Sequence, residues 1–174
     1  MGFSQQQIAL WTAGQGGSQT IWLLIIFPFV HRRIGTMGVL RACAIAYPAT
    51  FMFYIGLNYI LRGTSEAAHV LFLIYAPLMV MLGPGVAMAF TAAQLSLNQV
   101  SPGARELATL NAIAMTVISG IRAFAPGAAT AFFAVGVNHP EILGGHLAWW
   151  VMVILSTVFW ISLKWHPKDN ARAT

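Results

Sequence analysis

Arg122 stands inside an apolar stretch that runs from about residue 104 to 135, some 17 positions beyond Arg105. At 1.5 Å of helical rise per residue that separation is roughly 25 Å, which puts the guanidinium deep in the stretch. A charge at such depth in a bilayer costs on the order of 2.5–3.5 kcal/mol, so it should face protein or water. Asn111, Met115 and Ser119 precede it at helical spacing and share its face. A second polar stripe, Trp11, Gln15, Gln19 and Trp22, lies near the N-terminus. Amides between flat indoles suit an amphipathic organic solute, held by hydrogen bonds and apolar walls. Gln15, Gln19, Asn111 and Arg122 are therefore the candidates for a solute cavity. Helix packing through Gly14, Gly16 and Gly17 is the competing reading of the first stripe. Tyr54 and Asn58 form a further polar pair, and Gly83-Pro84-Gly85 should free backbone carbonyls and bend its helix. Pro84, Gly85, Pro126 and Gly127 are the candidate hinges.

Catalytic chemistry finds little support. Neither a His-Glu-x-x-His zinc signature nor a Gly-x-Ser-x-Gly elbow occurs, and Val117 stands where the leading glycine of an intramembrane serine protease would precede Ser119. No cofactor or metal is implied. Cys43 is the sole cysteine, which rules out an internal disulfide. Glu66, Glu106, Glu141 and Asp169 all fall at the ends of apolar stretches or between them, so no acid is placed for a proton relay. His69 and His146 read as interfacial.

The elements that must carry these residues are membrane helices. Of 174 residues, 58% are hydrophobic and 7% charged, and the mean hydropathy is +0.73. So few charges cannot cover a water-soluble surface of this size. Five apolar stretches are long enough to span, at about 8–30, 39–61, 69–97, 104–135 and 146–165. Together, residues 1–165 make one all-α membrane bundle, followed by a polar tail, 166–174, expected to be disordered. Ser4 and Gln7 form a capping box ahead of the first helix. Ser101-Pro102 is expected to cap the fourth. Trp149, Trp150, Trp160 and Trp165 read as interfacial anchors of the fifth.

The net charge of +5 is scattered at helix ends rather than clustered, which argues against nucleic acid. Arg32, Arg33, Arg41, Arg105, Lys164, Lys168 and Arg172 fall on one side of the membrane, and only Arg62 falls on the other. The positive-inside rule puts the first group, and the C-terminus, in the cytoplasm. The N-terminus is then outside without a secretory signal, and we expect a preceding helix to be missing.

The stretch from Asn98 to Ala129, NQVSPGARELATLNAIAMTVISGIRAFAPGAA, resembles the tenth-to-eleventh helix region of major facilitator superfamily transporters. It is most similar to the drug:proton antiporter branch, which includes zinc-induced-facilitator-like and fungal multidrug members. Asn98, Ser101, Pro102, Thr109, Asn111, Arg122, Ala123 and Pro126 match, while Ala108, Ala112 and Ala125 stand where glycines are expected. Arg32, Arg33 and Gly35 are a loose counterpart of the family's cytoplasmic loop motif, with His31 in place of its acid and Phe27 in place of its first glycine. The resemblance implies helices eight to twelve of a major facilitator fold, part of a C-terminal six-helix bundle. It implies transport of small organic solutes or drugs by alternating access, against an N-terminal bundle not present here. The chain alone is then expected to be inactive, in a plasma or vacuolar membrane. A structural or assembly subunit of a membrane complex is the alternative.

Overall fold

A computed structural model describes residues 4–63, 66–101 and 103–165. The expected tail, 166–174, and Pro102 lie outside the described residues. Among those described, the chain is all-helical: α1 (Gln5–Ile21), a π-helical turn (Trp22–Ile26), α2 (Phe27–Arg62), α3 (Glu66–Leu82), a 3-10 segment (Gly83–Ala87), α4 (Met88–Val100), α5 (Ala104–Asn138), a 3-10 turn (Leu143–Gly145) and α6 (Leu147–Trp165). Four continuous helical stretches are long and apolar enough to cross a membrane: Gln5–Arg62, Glu66–Val100, Ala104–Asn138 and Leu147–Trp165.

The first of these, 58 residues long, is not one rod. At Gly35 the backbone takes φ 70° and ψ 175°, a conformation that is essentially glycine-only. The chain doubles back there. Gln15 and Tyr54 meet within 3.3 Å although they are 39 residues apart; along a straight helix they would be separated by ~58 Å. The expected loop after the first helix is thus replaced by a break at one residue. His31, Arg32 and Arg33 stay helical, and Arg41 lies within α2 rather than in a loop. Nothing in these side chains opposes helix, so only the glycine's left-handed geometry ends the run. Thr36, buried directly after the break, ties the corner together. Its hydroxyl bonds His31 Nε2 at 2.9 Å and receives Gln99 Nε2 at 3.2 Å.

Proline shapes the arm before Gly35. Pro28 has no N–H to donate back one turn, and the π-helical turn Trp22–Ile26 immediately before it lets the helix continue. Ser4 and Gln7 form the expected capping box, with Gln7 N–H to Ser4 Oγ at 3.2 Å and Ser4 N–H to Gln7 Oε1 at 2.9 Å. Ser101 does not cap α5. Its hydroxyl donates to the Gly103 carbonyl at 3.0 Å, and Gly103 occupies the cap position.

Cross-helix pairs fix the directions. The arm before Gly35 runs parallel to α3, with Trp11 edge-on to Phe72 at 6.2 Å and Trp22 against Met81. The arm after Gly35 runs antiparallel to α6, with Phe51 and Tyr54 beside Trp149 and Val39 and Leu40 near Leu163. The core lies at the Gly35 end, where Val39, Cys43 and Ala44 of α2 meet Ala89 and Ala92 of α4. Small side chains there let the backbones approach closely. Large apolar residues such as Leu71, Ile74 and Leu155 point outward, as lipid permits. Helix α5 is different. It meets α6 and α4, with Arg122 at mid-helix over the Phe90 ring, and of its residues only Gly136 is buried.

Candidate functional site

The Gly83-Pro84-Gly85 sequence acts through one carbonyl. In an unbroken α-helix the Met81 carbonyl would accept from the Gly85 N–H. The shift to 3-10 geometry over Gly83–Ala87 leaves it open to α1. Ser18 Oγ donates to it at 2.8 Å and Trp22 Nε1 at 2.6 Å. The indole ring is then laid flush on Gly85, whose Cα leaves no room for a side chain: a Cβ there would sit 3.0 Å from Trp22 Cε2. Two donors on one carbonyl and a ring against a glycine hold Trp22 in a single orientation.

That ring walls a cavity of 310 Å³ between α2 and the 3-10 segment, lined also by Cys43, Ala46, Thr50, Phe53 and Met79. A second cavity of 180 Å³ lies along α1, among Trp11, Gln15, Tyr54, Phe72 and Val80. Tyr54 stands between the two. Its hydroxyl receives Gln15 Nε2 at 3.3 Å, its ring stacks on Trp149 with centroids 5.3 Å apart, and a Cβ on Gly83 would fall 2.9 Å from its oxygen. Both spaces are apolar with a few fixed polar groups, the usual chemistry of an organic-solute pocket.

The four cavity candidates fall into two separate pairs. Gln15 is engaged with Tyr54. Gln19, one turn further on α1, is exposed and makes no side-chain hydrogen bond among the described residues. Asn111 and Arg122 lie on α5, which packs on α4 and α6 rather than along α1. Arg122 is exposed, and its guanidinium carbon sits 5.7 Å from the centre of the Phe90 ring, a cation–π contact. The hinge candidates also divide. Pro84 and Gly85 fall where the helix changes type, whereas Pro126 and Gly127 lie in uninterrupted helix with open space around Gly127.

Several residues gain a role that spacing did not give them. Ser18 was hidden in a run of small residues. Trp149, read as a lipid-level anchor, is half-buried against Phe51 and Tyr54. His146, expected at the interface, is 1% exposed, with Nε2 3.0 Å from Asn58 Oδ1. A pairing signal existed only for Tyr54 and Asn58, one turn apart on α2, which reach α1 and the α6 entrance respectively.

The chain is similar to the efflux pump azaK of Aspergillus niger, with 36% identity over 174 residues that cover 99% of this chain and 36% of that protein. It thus spans about a third of that relative's length. No family model matches the chain. No solved structure matches it either. Apolar helices of spanning length make the chain a multi-pass membrane protein, and over its whole length it is similar to part of an efflux pump.

Proposed function

We propose that this chain forms five transmembrane helices of a major facilitator efflux transporter, helices eight to twelve, in the drug:proton antiporter branch. Efflux rests on one observation, the 36% identity to an efflux pump across 99% of the chain. The fold-back at Gly35 supports the count of five, since it divides Gln5–Arg62 into two arms, each roughly 40 Å long and sufficient for a ~30 Å hydrocarbon core. Basic residues Arg32, Arg33, Arg105 and Lys164 gather at the Gly35 end, which we assign to the cytoplasm together with the C-terminus.

The solute is a small amphipathic organic molecule. Trp22 and Tyr54 offer it aromatic faces, and Gln15 offers an amide. The transporter works by alternating access, two helical bundles rocking about a midplane site. Asn111 and Arg122 line the opposing wall, on a face of α5 that a second bundle covers; exposure of a mid-helix arginine supports that reading. The 3-10 segment at Pro84 and Gly85 is the flexing point of this half, and Pro126 and Gly127 a second one.

The binding part is tested by tryptophan fluorescence of the chain in lipid nanodiscs, titrated with amphipathic drugs. Saturable quenching that Trp22→Leu removes and Trp165→Leu retains is the expected result. Quenching that stays linear with drug concentration in every variant overturns the site. The dependence on a second bundle is tested in liposomes: solute uptake by this chain alone, abolished by Arg122→Ala, refutes it.

A further inference from the structure

We propose that the two cavities are lobes of one solute site, which takes an elongated, uncharged molecule with apolar ends and a hydrogen-bond acceptor near its middle; this rests on the solute reading above and narrows it. The lobes follow one another along the same elements. On α2, Ala46, Thr50 and Phe53 line the first, and Tyr54, Leu57 and Leu61 line the second. Along α3 and into the 3-10 segment the order reverses, with Phe72 and Ala76 on the second and then Leu82, Gly83 and Gly85 on the first. On the arm before Gly35, Trp11 walls the second lobe and Trp22 the first, roughly 17 Å apart at 1.5 Å per residue.

Met79 divides the lobes. Among the described residues it is the one side chain that lines both, it is buried, and it lies one helical turn before Gly83. An unbranched thioether turns about several bonds and yields to a ligand more readily than a branched or aromatic side chain. The first lobe, 310 Å³, sits at the low end of the about 300–1,000 Å³ that ligand pockets occupy, and the second, 180 Å³, falls below it. Joined, they fall well inside that range.

The lining sets the chemical class. Among the described residues no Asp, Glu, Lys, Arg or His lines either lobe, so a charged solute would lose its water without gaining a counter-charge. In the first lobe, Trp22 Nε1 is committed to the Met81 carbonyl and Thr50 Oγ1 to the Ala46 carbonyl. Tyr54 is different. Its oxygen accepts from Gln15 and lies so close to Gly83, at the partition, that a side chain there would collide with it. Its own hydrogen has no acceptor among the described residues, and a phenol accepts and donates at once. Stacking on Trp149 holds the ring in place, so the O–H is left to turn toward an acceptor on a solute that bridges the lobes.

The test uses the chain in phosphatidylcholine nanodiscs and dibenzylideneacetone, a ketone between two styryl arms. Benzylideneacetone, with one arm, fits a single lobe; a third probe has a methylene in place of the long ketone's carbonyl, and a fourth carries a trimethylammonium on one ring. Binding is read as saturable tryptophan quenching, with each probe referred to its concentration in the lipid. The long ketone should bind about tenfold tighter than the short one. Loss of the carbonyl should weaken binding about fivefold, and Tyr54→Phe should weaken the ketone equally while leaving the methylene probe unchanged. The cationic probe should bind about tenfold or more weakly than the ketone. The infrared carbonyl band of the bound long ketone should lie below its position in lipid and return there in Tyr54→Phe. Met79→Ala should tighten the long ketone and leave the short one unmoved. Equal affinity for long and short ketones, a carbonyl band at its lipid position, or a cationic probe that binds as well as the ketone overturns the proposal while the solute site stands. If neither ketone saturates, the solute site falls and the proposal with it. Should Tyr54→Phe fail to fold, the band position in the unaltered chain decides alone.

Discussion

The indole of Trp22 donates to the backbone carbonyl of Met81 across the contact between the arm before Gly35 and α3, and the bond is 2.6 Å long. The change to 3-10 geometry just after Met81 favours this contact, since it draws the helical donor away from that carbonyl. Ser18 shares the acceptor at 2.8 Å, so either donor can partly stand in for the other.

Trp22→Phe and Ser18→Ala should each cost ~0.6 kcal/mol, the average for an interhelical hydrogen bond in a membrane. Together they should cost more than the sum, because the Met81 carbonyl is then left without a partner. Unfolding of both single variants and the double variant in mixed micelles measures the coupling, and strict additivity counts against a shared acceptor.

Gly85→Ala should displace the indole by a few tenths of an ångström, and Gly85→Leu should expel it from its seat, since a Cβ at this position already meets Trp22 at 3.0 Å. Gly127→Ala meets no atom within 4 Å and should be neutral or slightly stabilising, by up to about 1 kcal/mol from helix propensity. Tryptophan emission should shift for the first pair and hold still for the last.

Gly35→Ala should destabilise the bundle by about 1–3 kcal/mol, for backbone reasons alone. Its φ of 70° disfavours any side chain, yet no neighbour lies within 4 Å of the added methyl. Relief of a steric clash therefore cannot rescue it. A second-site search that finds rescue by trimming nearby side chains would contradict this account.

Cys43 is the chain's only cysteine and is 3% exposed. Because its thiol also lines the 310 Å³ cavity, a maleimide should label it slowly, and a solute that fills that cavity should slow labelling further. Labelling should accelerate in Gly35→Ala, which provides a stability readout without added probes. Rapid labelling that a cavity-filling solute does not slow would mean the α2–α4 core is not packed as described.

Local signals were legible in the sequence, and partnerships were not. The Ser4–Gln7 box could be read because both members sit within one turn. The carbonyl-freeing effect of Gly83-Pro84-Gly85 was equally local, but which carbonyl opened and which donors reached it depended on a helix some 60 residues away. Charge misled at the first corner: His31, Arg32 and Arg33 looked like a loop, yet they are good helix residues, and one glycine makes the turn. Position along a span gave no side-chain partners for Trp149 and His146. Closeness to a span end gives depth in the membrane, whereas burial depends on what lies alongside. Pro126 lies inside a continuous α5, as its place in the fourth span implies, because a proline removes one backbone bond and the remaining ladder carries the helix through, with Thr130 Oγ1 donating to the Pro126 carbonyl at 2.8 Å.

Helix α5, with only Gly136 buried and every residue from 119 to 135 exposed, separates two kinds of selection on one chain. Elsewhere a change of residue is filtered first by whether the bundle still folds. At exposed Ser119 that filter is weak, so intolerance to substitution there reports what the helix meets outside this chain. A mutational scan confined to the exposed residues from 119 to 135 would read out the external contacts of α5 with little admixture of stability.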